Sequence, residues 1–339
     1  MLRGGVDLQD TLRTLDHGGR TRHDAPVELT RRQVLRALGA AGLITALPAC
    51  GSRFAQVRLR IATGGTAGEY FRLGRALAQV WQEQLGLTTE PAVLPTNGSP
   101  ANVTLLATGA AEVAVSQLDV AADRTAGSSS LRALAAVYND ALQIVVPAGS
   151  PIRAVADLHG VRVSIGPENS GVAYVAQRVL AAVGLSGPDD VRLSRLDLAG
   201  SVAALRAGDV DAFFWVGALP TTTVTDLAAT VPLRLLDLEP VYDTLRIRYP
   251  VYMPGTVLAG TYRIADPVAT VLVRNVLLVD AGLDADLVQA LTGALFADQQ
   301  RLADATQAAR TVDPRSAILT QPVPLHDGAL RWFSDDAMA

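Results

Sequence analysis

The chemistry this sequence can offer is carried by glycines, threonines and amides at the ends of strands. The run Ile61-Ala-Thr-Gly-Gly-Thr-Ala-Gly-Glu-Tyr-Phe71 places three glycines and two threonines between two patterned stretches. Before it, Val57–Ala62 alternates apolar and polar residues as a strand with one buried face does. After it, Phe71, Leu73, Leu77, Val80 and Trp81 recur at helical spacing. A strand that breaks into such a turn and then a helix leaves unpaired amide hydrogens above the turn, and small residues let a ligand reach them. The helix start favours a negative group by roughly 0.3–1 kcal/mol. The same glycines also suit a plain tight connection, and on this stretch alone both readings stand. Two further strand ends resemble it: Thr96-Asn-Gly-Ser-Pro-Ala-Asn102 after a short strand at 91–95, and Gln117-Leu-Asp119 after the strand Glu112–Ser116. Three tips (Gly65 with Thr66, Asn97 with Ser99, Gln117 with Asp119) fit the rule that open α/β sheets hold ligands outside the carboxyl ends of their strands.

Composition narrows that chemistry to capture. Net charge is -4 with no basic run in the body, which argues against nucleic acid as a partner. All 29 cationic residues are arginine; without lysine there is no Walker-type phosphate loop, no Schiff base and no lysine general base. Codon bias in a GC-rich genome accounts for the missing lysine equally well, and the exclusions hold regardless. One cysteine rules out a disulfide framework. His17 and His23 lie in the leader, leaving His159 and His326; two histidines do not make a three-His zinc site. There is no Gly-x-Ser-x-Gly elbow. The reading is a non-enzyme with no cofactor and no assigned metal ligand, a mixed His–carboxylate site staying open.

The elements that would position these tips form an α/β chain. Leu134–Tyr138 and Leu142–Val146 read as two strands, and Pro147-Ala-Gly-Ser-Pro151 as the crossing into a second lobe. There the arrangement repeats. Strand Arg162–Ile165 leads into Gly166-Pro-Glu-Asn-Ser-Gly171 and a helix from Val172 to Val183, with Ser170 suited to its N-cap. Val210–Val216 reads as a strand ending at Gly217, with Trp215 either core or cleft wall. The chain crosses back near Tyr249–Met253, runs extended over 255–262, forms a long strand over Thr270–Val279 and a helix over Asp284–Leu302. Closure of two lobes would be a hinge motion taken up at 142–151 and 249–255.

Residues 1–29 read as a leader. Arg31 and Arg32, the apolar run Val34–Ala46 and Leu47-Pro-Ala-Cys50 form a twin-arginine export signal with a lipoprotein-type cleavage site, Cys50 being the lipidated residue. The run falls short of the ~20 residues that span a bilayer. The leader is long ahead of the twin arginine, which suggests a start near Val27. This places the chain outside the cell membrane, anchored to its outer face.

Taken together these segments resemble the TAXI family, the solute-binding subunits of TRAP-type secondary transporters. The resemblance rests on six stretches in the family's order, within residues 57–333: 63–71, 97–102, 116–119, 166–171, 211–220 and Pro324-Leu-His-Asp-Gly-Ala-Leu330. It implies the two-lobed, type II periplasmic-binding-protein fold with two interlobe crossings. The expected parts are 1–50 as leader and signal, 55–146 as the first lobe, 147–250 as the second and 251–339 as the return. It further implies a TRAP permease as membrane partner and a small organic acid or amino acid, glutamate- or dicarboxylate-like, as solute. Ligand-touching residues by this resemblance are Gly65, Thr66, Tyr70, Asn97, Ser99, Asn102, Gln117, Asp119, Ser170, Trp215 and Gly217, with Gln117 or Asp119 taking an ammonium or amide. His326 reads as structural. Ala101 and Phe71 depart from the family's pattern, replacing an acidic residue and a tyrosine. The competing readings are a lipoprotein that feeds a sensor kinase, and an enzyme on the same fold.

Overall fold

Strand residues alternate between two cores, and that alternation fixes the layers. In the computed structural model, which describes residues 52–66, 68–126 and 130–335, Ile61 joins one buried cluster and Ala62 another; Phe213 and Phe214 divide in the same way. Successive strand side chains point to opposite faces, so a sheet covered on both sides needs apolar residues at every position. Strand β3 (Val113–Gln117) is buried at all five positions.

In chain order the sheet and its helices run β1 (Arg60–Ala62), α1 (Glu69–Leu85), β2 (Ala92–Leu94), α2 (Ser99–Ala107), β3, α3 (Leu118–Thr125) and β4 (Leu131–Pro147). Then come β5 (Arg162–Ser164), α4 (Gly171–Ala182), β6 (Arg192–Ser194), α5 (Leu198–Ala207), β7 (Ala212–Gly217), α6 (Thr222–Ala228), β8 (Leu233–Leu235) and α7 (Glu239–Arg248). The chain ends with β9 (Met253–Val257), β10 (Val268–Asp280), α8 (Ala285–Ala297), α9 (Gln299–Ala305) and, after shorter turns, α10 (Asp327–Asp335). The strand order is β2-β1-β3-β10-β4-β7-β5-β6, with β8 added to β4 and β9 to β10. Each flank has parallel pairs, β1 with β2 and β3 on one side and β5 with β6 and β7 on the other. The two flanks meet at β4 and β10, which pair antiparallel through the middle.

Helix α1 shows how sequence pattern becomes packing. Leu73, Leu77 and Trp81 lie on its buried side, and the Trp81 indole N–H donates to the Leu291 carbonyl of α8 at 3.1 Å. Gly86 ends the helix in the left-handed conformation (φ 61°), as a C-cap glycine does.

Four expectations are corrected. Leu134–Tyr138 and Leu142–Val146 are not two strands but parts of β4, because Asn139 and Asp140 stay in register with Arg274 and Val273 of β10. Residues 142–147 are therefore held by β7 and β8 and do not form a loose crossing. The helix over 284–302 breaks at Asp298, whose carboxylate accepts the Arg301 amide at 3.2 Å and starts α9. The stretch 255–262 is extended only to Val257, where β9 ends; a 3-10 turn follows at Thr261–Arg263. Cys50, Arg31 and Arg32 lie outside the described residues.

Candidate functional site

Three strand ends on the first flank turn toward one place, and the start of α4 comes to meet them. The side chain of Thr63 and its amide both bind the Leu94 carbonyl, fixing the exit of β1 beside that of β2. Gly65 and Thr66 are exposed at the tip of that turn. Thr96 Oγ1 accepts the Gly98 amide at 2.9 Å and shares its one proton between the Thr63 carbonyl at 2.8 Å and Asn102 Oδ1 at 2.6 Å. Gly98 has φ 114°, a conformation glycine tolerates and branched residues do not, and it delivers Ser99 to the first turn of α2. Ser99 Oγ accepts the Gln117 amide at 2.9 Å, which locks the end of β3 to the start of α2.

From the second flank, the loop before α4 closes over this group. Asn97 Nδ2 donates to the Glu168 carbonyl at 3.4 Å. Gln117 packs against Gly171 so closely that a methyl group there would overlap its amide. Ser170 is the N-cap of α4, its hydroxyl accepting the Ala173 amide at 3.1 Å and donating to the Pro167 carbonyl at 2.7 Å.

Beneath these loops lies a polar floor that the sequence reading missed. The Tyr70 hydroxyl, from the first turn of α1, bonds Ser99 Oγ at 3.2 Å and donates to Asn275 Oδ1 of β10. Asn275 Nδ2 donates to Asp140 Oδ2 of β4 at 2.9 Å. Asn275, Asp140, Ser99 and Gln117 are all buried. Burial raises the Asp140 carboxyl from 3.8 to about 7; the Asn275 amide opposes the shift and the nearby Glu69 adds to it. The signal was present: a Tyr-Asn-Asp interruption inside an apolar strand, and an Arg-Asn pair inside another. A polar residue on a fully buried strand needs a partner or a ligand.

Several predicted residues are spent on structure. Asn102 has no exposure and both ends of its amide are used, accepting from Thr96 Oγ1 at 2.6 Å and donating to the Val115 carbonyl at 2.7 Å. Trp215 donates its indole N–H to Thr221 Oγ1 at 3.0 Å and leans on Gly217, where a methyl group would strike the ring. Gly217 itself aligns with Ala141 of β4, and its carbonyl accepts from Gln143. His326, as expected, is structural: its ring accepts the Gly328 amide at 3.1 Å at the start of α10, and its own amide binds the Ala133 carbonyl.

Asp119 has partners of its own. It enters a buried ionic cluster with α4. Its Oδ1 accepts the Val120 amide and its Oδ2 the Tyr252 hydroxyl at 2.7 Å, with Arg178 Nη1 at 3.5 Å. Burial raises its carboxyl, against the pull of that hydroxyl and of Arg178. Arg178 also reaches Asp123 at 2.5 Å, and its guanidinium lies 3.9 Å from the Tyr249 ring centroid and 4.5 Å from that of Tyr174. Since Asp119 and Asp123 belong to α3 and Arg178 to α4, the cluster clamps one flank to the other.

The profile of the NMT1-like family matches residues 61–336. XAC2383 from Xanthomonas citri, bound to ATP, is similar with a TM-score of 0.50 at 14% identity, over 82% of this chain and 94% of that one. The periplasmic aliphatic sulphonate binding protein SsuA from Escherichia coli gives 0.46 at 18% identity, covering 82% and 78%. An ancestral arginine-binding protein bound to arginine gives 0.48 at 15%, covering 75% and 98%. The fold is α/β, of the type II periplasmic-binding-protein kind. No helix among the described residues is long and apolar enough to cross a membrane.

Proposed function

The chain belongs to the NMT1-like family, and from that premise we infer that it is an extracytoplasmic solute-binding protein that captures a small anionic or zwitterionic solute by lobe closure. The observation that carries this reading is the meeting of loops from both flanks over one buried polar floor. Asn97 reaches the Glu168 carbonyl, Gln117 lies on Gly171, and Tyr70, Asn275 and Asp140 line up beneath them. The starts of α2 and α4 offer free amide hydrogens to an anionic group, and the floor offers oxygens to a donor.

The proposed lobes are 55–146 with 251–339, and 147–250. The proposed hinge lies where β4 and β10 pass between flanks, around Asn139–Ala141 and Leu272–Asn275. There β10 leaves β9 for β3, its register shifts beside Asn275, and Asn139 is exposed on an otherwise covered strand. A register shift marks a place where a strand bends.

The finer reading is a TAXI-type subunit of a TRAP transporter. It is exported through the twin arginine Arg31–Arg32, held to the outer face of the membrane by lipidated Cys50, and delivers its solute to a TRAP permease. Six motifs in register support it. Gly65, Thr66, Tyr70, Asn97, Ser99, Gln117 and Ser170 stay in the proposed contact set.

Isothermal titration calorimetry on protein stripped of co-purified solute, with dicarboxylates and amino acids as titrants, tests capture; small-angle scattering with and without the solute that binds tests closure. Micromolar binding, worth about -8 kcal/mol, and a contracted bound form are expected. Absence of heat with every titrant overturns the reading.

A further inference from the structure

We propose that Gln117, Tyr138 and Asp140 form a receptor for a primary ammonium group, so that the site selects amine-bearing solutes over their deaminated analogues; this rests on the solute-binding reading above. The three residues lie together because of strand register. Gln117 of β3 aligns with Asn275 of β10, and Asn275 aligns with Tyr138 of β4. Directly opposed residues share a face of the sheet, and Asp140, two positions beyond Tyr138, shares it too.

Asn275, at the centre of the row, uses both ends of its amide. Its Nδ2 serves Asp140 and its Oδ1 takes the Tyr70 hydroxyl, which in turn meets Ser99. What is left over is consistent in kind. Gln117 Oε1, Asp140 Oδ1 and the Tyr138 hydroxyl are buried with no hydrogen-bond partner in the protein, on residues exposed by only 3%, 5% and 5%. Two of these atoms are carbonyl-type or carboxylate oxygens and the third is a hydroxyl able to accept. A buried polar atom without a partner costs about 1–3 kcal/mol, so three on one face call for a group rich in donors.

An ammonium centre supplies three donors and no acceptor. It also supplies charge where it is needed: the other ionised group that acts on Asp140 is the acid Glu69, whose own partner is Arg72, and among the described residues no arginine forms an ion pair with Asp140 itself. Asp119, the other buried acid nearby in sequence, is already balanced by Arg178 and Tyr252. A carboxylate on the same solute would then find the amide hydrogens at the starts of α2 and α4.

The test is calorimetry on the full chain stripped of co-purified solute, titrated with the common L-amino acids and then with the deaminated and 2-oxo acid of each one that binds. A site built to hydrogen-bond a group rejects the analogue lacking it, so the deaminated acid is expected to bind about a hundredfold more weakly or worse. Asp140→Asn keeps the Asn275 contact and is expected to weaken the parent amine about tenfold or more, charge-assisted bonds being the stronger ones. Melting temperatures of the variant, taken alongside, establish that it is folded. A deaminated analogue binding within about threefold of its parent, or an Asp140→Asn protein with unchanged affinity, overturns the proposal while solute binding stands; the second outcome assigns those oxygens to water. Silence from amines and acids alike removes the solute-binding reading and this proposal with it.

Discussion

At the scale of single residues, Asp140 ties binding to stability. Its carboxyl titrates at about 7 in the folded chain against an ordinary 3.8, burial being the main cause. The folded protein therefore holds a proton between those values that the unfolded chain releases, and stability falls as pH rises through that window and levels off above it. At about 1.4 kcal/mol per pH unit, the span from 3.8 to about 7 is worth about 4 kcal/mol. Asp140→Asn is expected to flatten that slope and to raise the denaturant midpoint at pH 8 relative to wild type, as urea unfolding at pH 5 and pH 8 would record. A variant with the wild-type slope would place the titration elsewhere. Asn102 behaves oppositely. Its amide is buried and used at both ends, so Asn102→Ala should cost about 2–4 kcal/mol in unpaired groups and lost packing without changing which solutes bind. A change in solute preference measured by calorimetry would restore it to the site.

At the scale of elements, the pairing of α3 with α4 decides whether the flanks stay together. Arg178 is 8% exposed and is shared by Asp119, Asp123 and three tyrosine rings. Removing one partner of a buried ion pair leaves the other charge uncompensated, at about 3–5 kcal/mol. Arg178→Met is expected to lower the melting temperature and to expand the solute-free protein in small-angle scattering, because the lost contacts span the two flanks. Arg178→Met with Asp119→Asn and Asp123→Asn should recover much of the stability, since no charge is then stranded, but none of the compaction. If the single variant stays as compact as wild type, the cluster is only a core packing feature.

At the scale of the whole molecule, the two flanks share one sheet, joined by antiparallel pairing of β4 and β10 over nine aligned residue pairs. Trp81 lies in the first flank's core and Trp215 is packed on the second's. Continuous strands couple the flanks more tightly than a flexible linker would, so one cooperative transition is expected. Fluorescence melts of Trp81→Phe with Trp332→Phe, which leaves Trp215, and of Trp215→Phe, which leaves the two tryptophans of the first flank, should coincide with each other and with far-ultraviolet dichroism. Two separated midpoints would show flanks that unfold independently and would move the joint out of the sheet.

What the sequence determined by itself was whatever depends on local period and backbone freedom: the strand–turn–helix units at 57–85 and 162–182, the turns at Gly65 and Gly98, the cap at Ser170, the structural place of His326, and the α/β class. What only the tertiary structure decided was partnership. Asp119 and Gln117 sit two residues apart in the chain, yet one is neutralised by Arg178 from α4 and the other lies against Gly171 with its oxygen unmet. The floor of Tyr138, Asp140 and Asn275 joins residues more than a hundred positions apart through strand register. Local pattern says which residues turn inward; only the register between distant strands says what each of them meets there.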